Sequence, residues 1–220
     1  MITALYLIAG TIQIFLLTIM IRQYLRAKSS YTLIPIFVFA ALVFDNYVVG
    51  LGTFIGAGAT LKFLNAIRFY THALFTAWII VFAFGILKRI GVGWAQGKTV
   101  HALVCVFALL MCALGVYFDI IRLELVLKEE NGTLRYVNEG IKIPPIPSIV
   151  AILFMMLVGV VVWVKRKSPW TFLGALVMFI CAPLGIRFPV LGQFGEIVFG
   201  GALISGESEA FGSKTFGSKK

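Results

Sequence analysis

Ile143-Pro-Pro-Ile-Pro-Ser-Ile-Val-Ala-Ile-Leu-Phe-Met-Met-Leu-Val-Gly-Val-Val-Val-Trp-Val164 runs without a charged residue into Lys165-Arg166-Lys167. A helix rises ~1.5 Å per residue, so about 20 apolar residues cross a ~30 Å hydrocarbon layer. This stretch is long enough, and a basic cluster directly behind an apolar span is the mark of a cytoplasmic helix end.

The same pattern recurs on both sides of it. Apolar windows cover Thr3–Ile21, Tyr31–Gly50, Phe69–Leu87 and Thr99–Ile121 before it, and Trp170–Ile186 and Phe188–Gly206 after it. Composition agrees, with 60% hydrophobic and 13% charged residues against roughly 25% charged in a soluble domain. A soluble fold of 220 residues has too little interior for so much apolar surface. The expected fold is an all-α integral membrane bundle of seven transmembrane helices, one domain over 1–206, with 207–220 as a flexible cytoplasmic tail.

The charges give the bundle a direction. Arg22, Arg26 and Lys28 follow the first window, Lys88, Arg89 and Lys98 the third, and Lys165 to Lys167 the fifth; Lys214, Lys219 and Lys220 close the chain. Acidic loop residues Glu124, Glu129, Glu130 and Glu139 fall in an alternate connection. The positive-inside rule then places the N-terminus outside and the C-terminus in the cytoplasm, which needs an odd number of spans. The plasma (inner) membrane is the expected location, or an organellar membrane in a eukaryote. No basic side chain precedes the first window, which suits a retained anchor rather than a cleaved leader. The net charge of +10 is split among these clusters. That distribution points to the lipid bilayer and its anionic headgroups as partner, not to nucleic acid.

Two places are open to more than one reading. The sixth window is short, contains Pro183, and is parted from the seventh by Arg187 and Pro189. A re-entrant hairpin would also fit; charge parity favours two spans. The long loop 122–142 contains Asn131-Gly132 between runs that can alternate, the strongest short-range hairpin signal. A small β-hairpin over the outer mouth is expected there. Asn131-Gly-Thr133 is also a glycosylation acceptor if the source is eukaryotic.

Charges inside a span are costly, so each is a functional-site candidate. Asp45 and Asn46 lie near the outer end of the second window. Arg68 and His72 open the third, four residues apart and so on one face. Asp119 and Arg122 end the fourth, Arg187 separates the last two, and Gln193 and Glu196 start the seventh. All fall in the outer half by the topology above, with little comparable in the inner half. Asp45, His72 and Glu196 are the candidate catalytic residues, with His72 as acid/base and a carboxylate orienting it. Asn46, Arg68, Asp119, Arg122, Arg187 and Gln193 are candidate binding residues, the arginines suited to an anionic head.

The expected function is binding or modification of a small anionic or lipid-like amphiphile. Proton-coupled transport through the same groups is an alternative. So is a structural subunit of a larger membrane complex, in which Asp45, Asp119 and Glu196 pair with Arg68, Arg122 and Arg187; an oligomer is compatible with either.

Several chemistries lack their residues. The seventh window has no lysine for a retinal Schiff base, as rhodopsins have, and the paired histidines of the alkaline-ceramidase-related hydrolases are missing. His72 and His101 fall at opposite ends and cannot share a haem; no metal spacing is present. No cofactor is assigned. No GxSxG occurs, and Ser148 and Ser205 are the only serines in the windows, so a serine hydrolase is not expected. Cys105, Cys112 and Cys181 sit in apolar runs as packing residues.

Overall fold

The computed structural model describes residues 2–130, 132–140 and 143–217, with side chains as far as Gly212. It is helical apart from one hairpin. The helices are α1 (Ile2–Ala27), α2 (Ser30–Ile55), α3 (Ala59–Phe75), α4 (Ile79–Arg89), α5 (Lys98–Val116), α6 (Ile146–Arg166), α7 (Trp170–Gly185) and α8 (Pro189–Gly217). A single 3₁₀ turn, Thr76–Trp78, joins α3 to α4, so Ala59–Arg89 is one rod of 31 residues. A π-helical segment, Tyr117–Ile121, extends α5. Among the described residues these make seven helical rods.

Five of these rods are long and apolar enough to cross a membrane: α1, α2, Ala59–Arg89, Lys98–Ile121 and α6. The apolar α7 is shorter. The polar residues of α8, among them Gln193, Glu196, Glu207 and Glu209, set it apart from the five.

Two boundaries differ from those expected, for one reason. The third rod begins at Ala59, not Phe69, although Lys62, Asn65 and Arg68 interrupt the apolar pattern. The last helix runs to Gly217 instead of stopping at Gly206. In both places polar side chains that would end an apolar window, Asn65 and Arg68 in one and Glu207 in the other, find partners inside the protein, while Lys62 is exposed.

The core is built around α4. Every residue from Ile79 to Leu87 is buried, with Ile80, Phe82, Phe84 and Ile86 fully so. Phe39 of α2, Met155 of α6 and Leu203 of α8 close around them. The peripheral faces of α1, α5 and α6 are instead lined with exposed apolar side chains, Phe15, Leu109, Leu110 and Leu157 among them. Helices α7 and α8 pack as a tight antiparallel pair. A Cβ at Gly174 would meet Ala202, one at Gly195 would meet Cys181, and the Gly185 and Gly192 backbones touch.

The hairpin forms as expected: β1 (Leu125–Glu130) pairs antiparallel with β2 (Thr133–Asn138), from Glu130 opposite Thr133 to Leu125 opposite Asn138. Gly132 has φ +78°, the left-handed region that a two-residue hairpin loop demands; Asn131 lies outside the described residues. The hairpin is seated on the bundle rather than hanging free. The Thr3 and Thr53 hydroxyls donate to the Gly132 carbonyl at 3.1 and 3.2 Å, and Arg135 donates to the Tyr6 hydroxyl at 3.2 Å. At Gly52 a Cβ would fall 1.8 Å from the Leu134 carbonyl oxygen, so only glycine lets β2 lie so close to α2.

Candidate functional site

About two helical turns below the hairpin, polar side chains from six rods meet. Helix α2 contributes Asp45 and Asn46 in succession, and because neighbours on a helix point ~100° apart they enter two different clusters. Asn46, fully buried, donates to Gln13 Oε1 of α1 at 2.8 Å. Gln13, also fully buried, donates to Glu196 Oε2 of α8 at 3.0 Å. Glu196 thus has amides as its neighbours and, among the described residues, no ion-pair partner. Gln193, one turn earlier on α8, is buried with its amide oxygen unbonded among the described residues.

Asp45 turns to α3. Arg68 Nε donates to its Oδ1 at 2.6 Å, and Arg68 Nη1 donates to Asn65 Oδ1 at 2.5 Å. The guanidinium is largely buried, 13% exposed. One turn on, His72 is far more open at 45%. Its Nδ1 lies 3.8 Å from Asp119 Oδ2 in the π-helical segment, and its Nε2 lies 3.3 Å from Ser148 Oγ at the start of α6. A cavity of about 30 Å³ borders Asp45, Arg68, Thr71 and His72, the share of space one water takes in the liquid. Asp45 and His72 line this cavity together, and Glu196 is joined through Gln13 to Asn46, the neighbour of Asp45. The three candidate catalytic residues therefore occupy one region.

Not every expected residue joins it. Arg122 and Arg187 are exposed and form no ion pair among the described residues; Arg187 instead lies over the Phe188 ring, 5.6 Å from its centroid. Of the three expected pairings only Asp45–Arg68 forms. Asp119 faces His72, and Glu196 faces Gln13. A lone amide in an apolar window, as at Gln13 and Asn65, carries no signal of its partner, and Ser148 reads in the sequence only as one of two serines in the windows.

The larger surprise is at the opposite end, which the sequence marks as nearly devoid of buried polar groups. Arg89 donates from Nη1 and Nη2 to Glu207 Oε1 and Oε2 at 2.6 and 2.8 Å, and Thr32 donates to Oε1 at 2.8 Å. Glu207 is 2% exposed and Arg89 10%. The Arg89 guanidinium also lies over the Tyr31 ring, whose hydroxyl is 3.3 Å from His101 Nε2.

The sequence matches no family model, and comparison with curated proteins finds no relative. What defines the class is therefore its own architecture: an all-α bundle of apolar rods, capped at one end by a hairpin over a cluster of buried polar and charged side chains.

Proposed function

We propose that the chain is an integral membrane protein of seven spans, hairpin end outward, that binds and modifies a small amphiphile with an anionic or ester-containing head. The apolar faces of α1, α5 and α6 suit lipid, and the basic clusters at the end away from the hairpin suit a cytoplasmic surface. The observation carrying the functional reading is the setting of His72. It is half-exposed and stands between Ser148 and Asp119 on one side and the water-sized cavity with Asp45 and Arg68 on the other. In this reading the cavity holds a water or the polar head of a ligand whose chain lies along the bundle, because about 30 Å³ cannot enclose an amphiphile. Arg68 supplies positive charge without being free to move, as two of its nitrogens are already bound.

The test is photo-crosslinking with a photoreactive phosphatidylglycerol in vesicles. His72→Ala and Glu196→Gln should lose at least about tenfold of the crosslinking near α3 and α6 while eluting as folded protein on size exclusion. Equal labelling of all variants removes the site.

Proton-coupled transport is the second reading, favoured by Glu196 having no ion-pair partner among the described residues and by polar groups at the far end around Arg89 and Glu207. Its difficulty is the fully buried Phe39, Phe82 and Phe84 in between. In proteoliposomes, Glu196→Gln abolishing a measurable proton flux would favour it over the first.

A further inference from the structure

We propose that Ser148, His72 and Asp119 are a nucleophile, general base and orienting carboxylate for acyl transfer, acting on a carboxylic ester in the head of the amphiphile; this rests on the site reading above. The absence of a GxSxG motif does not exclude it, because such a set is recognised by geometry and roles and occurs on unrelated folds in different chain orders.

Three elements distant in sequence bring the residues together. Ser148 stands in the first turn of α6, His72 in α3, and Asp119 in the π-helical segment after α5. The order is that of the roles. Ser148 Oγ is 3.3 Å from His72 Nε2, and the other ring nitrogen, Nδ1, is the one 3.8 Å from Asp119 Oδ2. The two ring nitrogens are directed at a hydroxyl and a carboxylate, the arrangement that a base held between a nucleophile and an orienting group requires. Catalytic hydrogen bonds are commonly long before substrate binds and shorten in the complex. Here the His72–Asp119 separation has about 1 Å to close to reach hydrogen-bond length. The π segment is the element suited to supply that movement, since such bulges recur where a helix is adapted to a site.

The chemistry balances with water as the only co-reactant. Ser148 Oγ attacks the ester carbonyl carbon as its proton passes to His72 Nε2, with Asp119 stabilising the imidazolium. The C–O bond to the alcohol breaks, and that oxygen leaves with the proton from His72. Water, deprotonated by His72, then attacks the acyl-enzyme carbonyl, and the Ser148 oxygen departs reprotonated with release of the acid. The N–H groups of Ser148 and Ile149 both bond to the Pro145 carbonyl at 3.1 Å, so they do not serve as oxyanion donors. Arg68 borders the cavity on the side of His72 away from Ser148, so its charge serves the anionic part of the head and not the ester carbonyl.

The full chain in mild detergent is treated with a fluorophosphonate, which loses fluoride when a nucleophilic serine attacks phosphorus. Peptide mass spectrometry should place the label on Ser148, not on Ser208 or Ser205. The rate should fall by about 100-fold in His72→Ala and by at least tenfold in Asp119→Asn, with both variants eluting as folded protein. Ser148→Ala should abolish labelling yet keep the phosphatidylglycerol crosslink, which separates the nucleophile from the binding site. No label on folded wild-type protein, or a label that His72→Ala leaves unchanged, overturns the proposal. If the crosslink still depends on His72 in that case, the binding site stands without it.

Discussion

At the level of single residues, the most consequential partnership is Arg89 with Glu207. Both charges are buried, the pairing is bidentate, and Thr32 fills a further acceptor position on the carboxylate. Removing one partner of such a pair leaves the other as an uncompensated buried charge, a loss of ~3 kcal/mol or more. Glu207→Gln should therefore lower the thermal midpoint in detergent markedly. The double variant Arg89→Met with Glu207→Leu should recover most of it, since an apolar pair of similar volume removes both desolvation costs. If Glu207→Gln leaves the midpoint unchanged, the pair is not a fastener. Neither residue could be matched from the sequence. Arg89 reads as one topogenic charge among several, and Glu207 stands in Ser205-Gly-Glu-Ser-Glu, a polar stretch resembling the start of a tail. Only the approach of α8 to α4, which joins side chains 118 positions apart in sequence, shows what they do. Asp45, His72 and Glu196 were legible because each is an isolated charge or imidazole in an apolar window. Their partners were not, because pairing is a property of packing.

Among the elements, the hairpin was the most legible, for its cause is local: a two-residue turn centred on a residue with positive φ between strand-forming runs. The start of α3 was the least, because Lys62, Asn65 and Arg68 in succession look like a loop until the inward partners of Asn65 and Arg68 are known. How the hairpin is fastened depends on one close approach. At Gly52 any side chain would collide with the Leu134 carbonyl, and that carbonyl belongs to backbone that cannot swing aside as a flexible side chain can. Gly52→Val should lift β2 off α2 while leaving the helices intact. Amide exchange over 133–138 should rise at least tenfold, with exchange in α4 unchanged. Because the hairpin is bonded to α1 through Thr3 and Tyr6 as well, full detachment is not expected. Unaltered protection in 133–138 would mean that the approach at Gly52 is not what seats it.

For the molecule as a whole, the question is whether each rod crosses, and α7 decides it. Its 16 residues make ~24 Å of helix at 1.5 Å per residue, short of a ~30 Å hydrocarbon layer. A short rod can still span if the bilayer thins or flanking side chains reach outward. It has a basic cluster before it at Lys165–Lys167 and the exposed Arg187 after it. The tight α7–α8 pair fits equally a re-entrant hairpin, and charge parity does not choose either, because both arrangements return the C-terminus to the face of Lys165–Lys167. Single cysteines turn this into a measurement. Cys112 and Cys181 are buried and Cys105 half-buried, so background labelling is low. With a membrane-impermeant maleimide on intact cells, Lys128→Cys in the hairpin should react and Lys165→Cys should react only after permeabilisation, which fixes α6 as a span. Arg187→Cys should then react from outside, as Lys128→Cys does. Were it instead reachable only after permeabilisation, α7 and α8 would enter and leave by the same face. Glu196 would then lie near the tip of the re-entrant pair with its hydrogen bond to Gln13 intact, and the bundle would have five spans instead of seven.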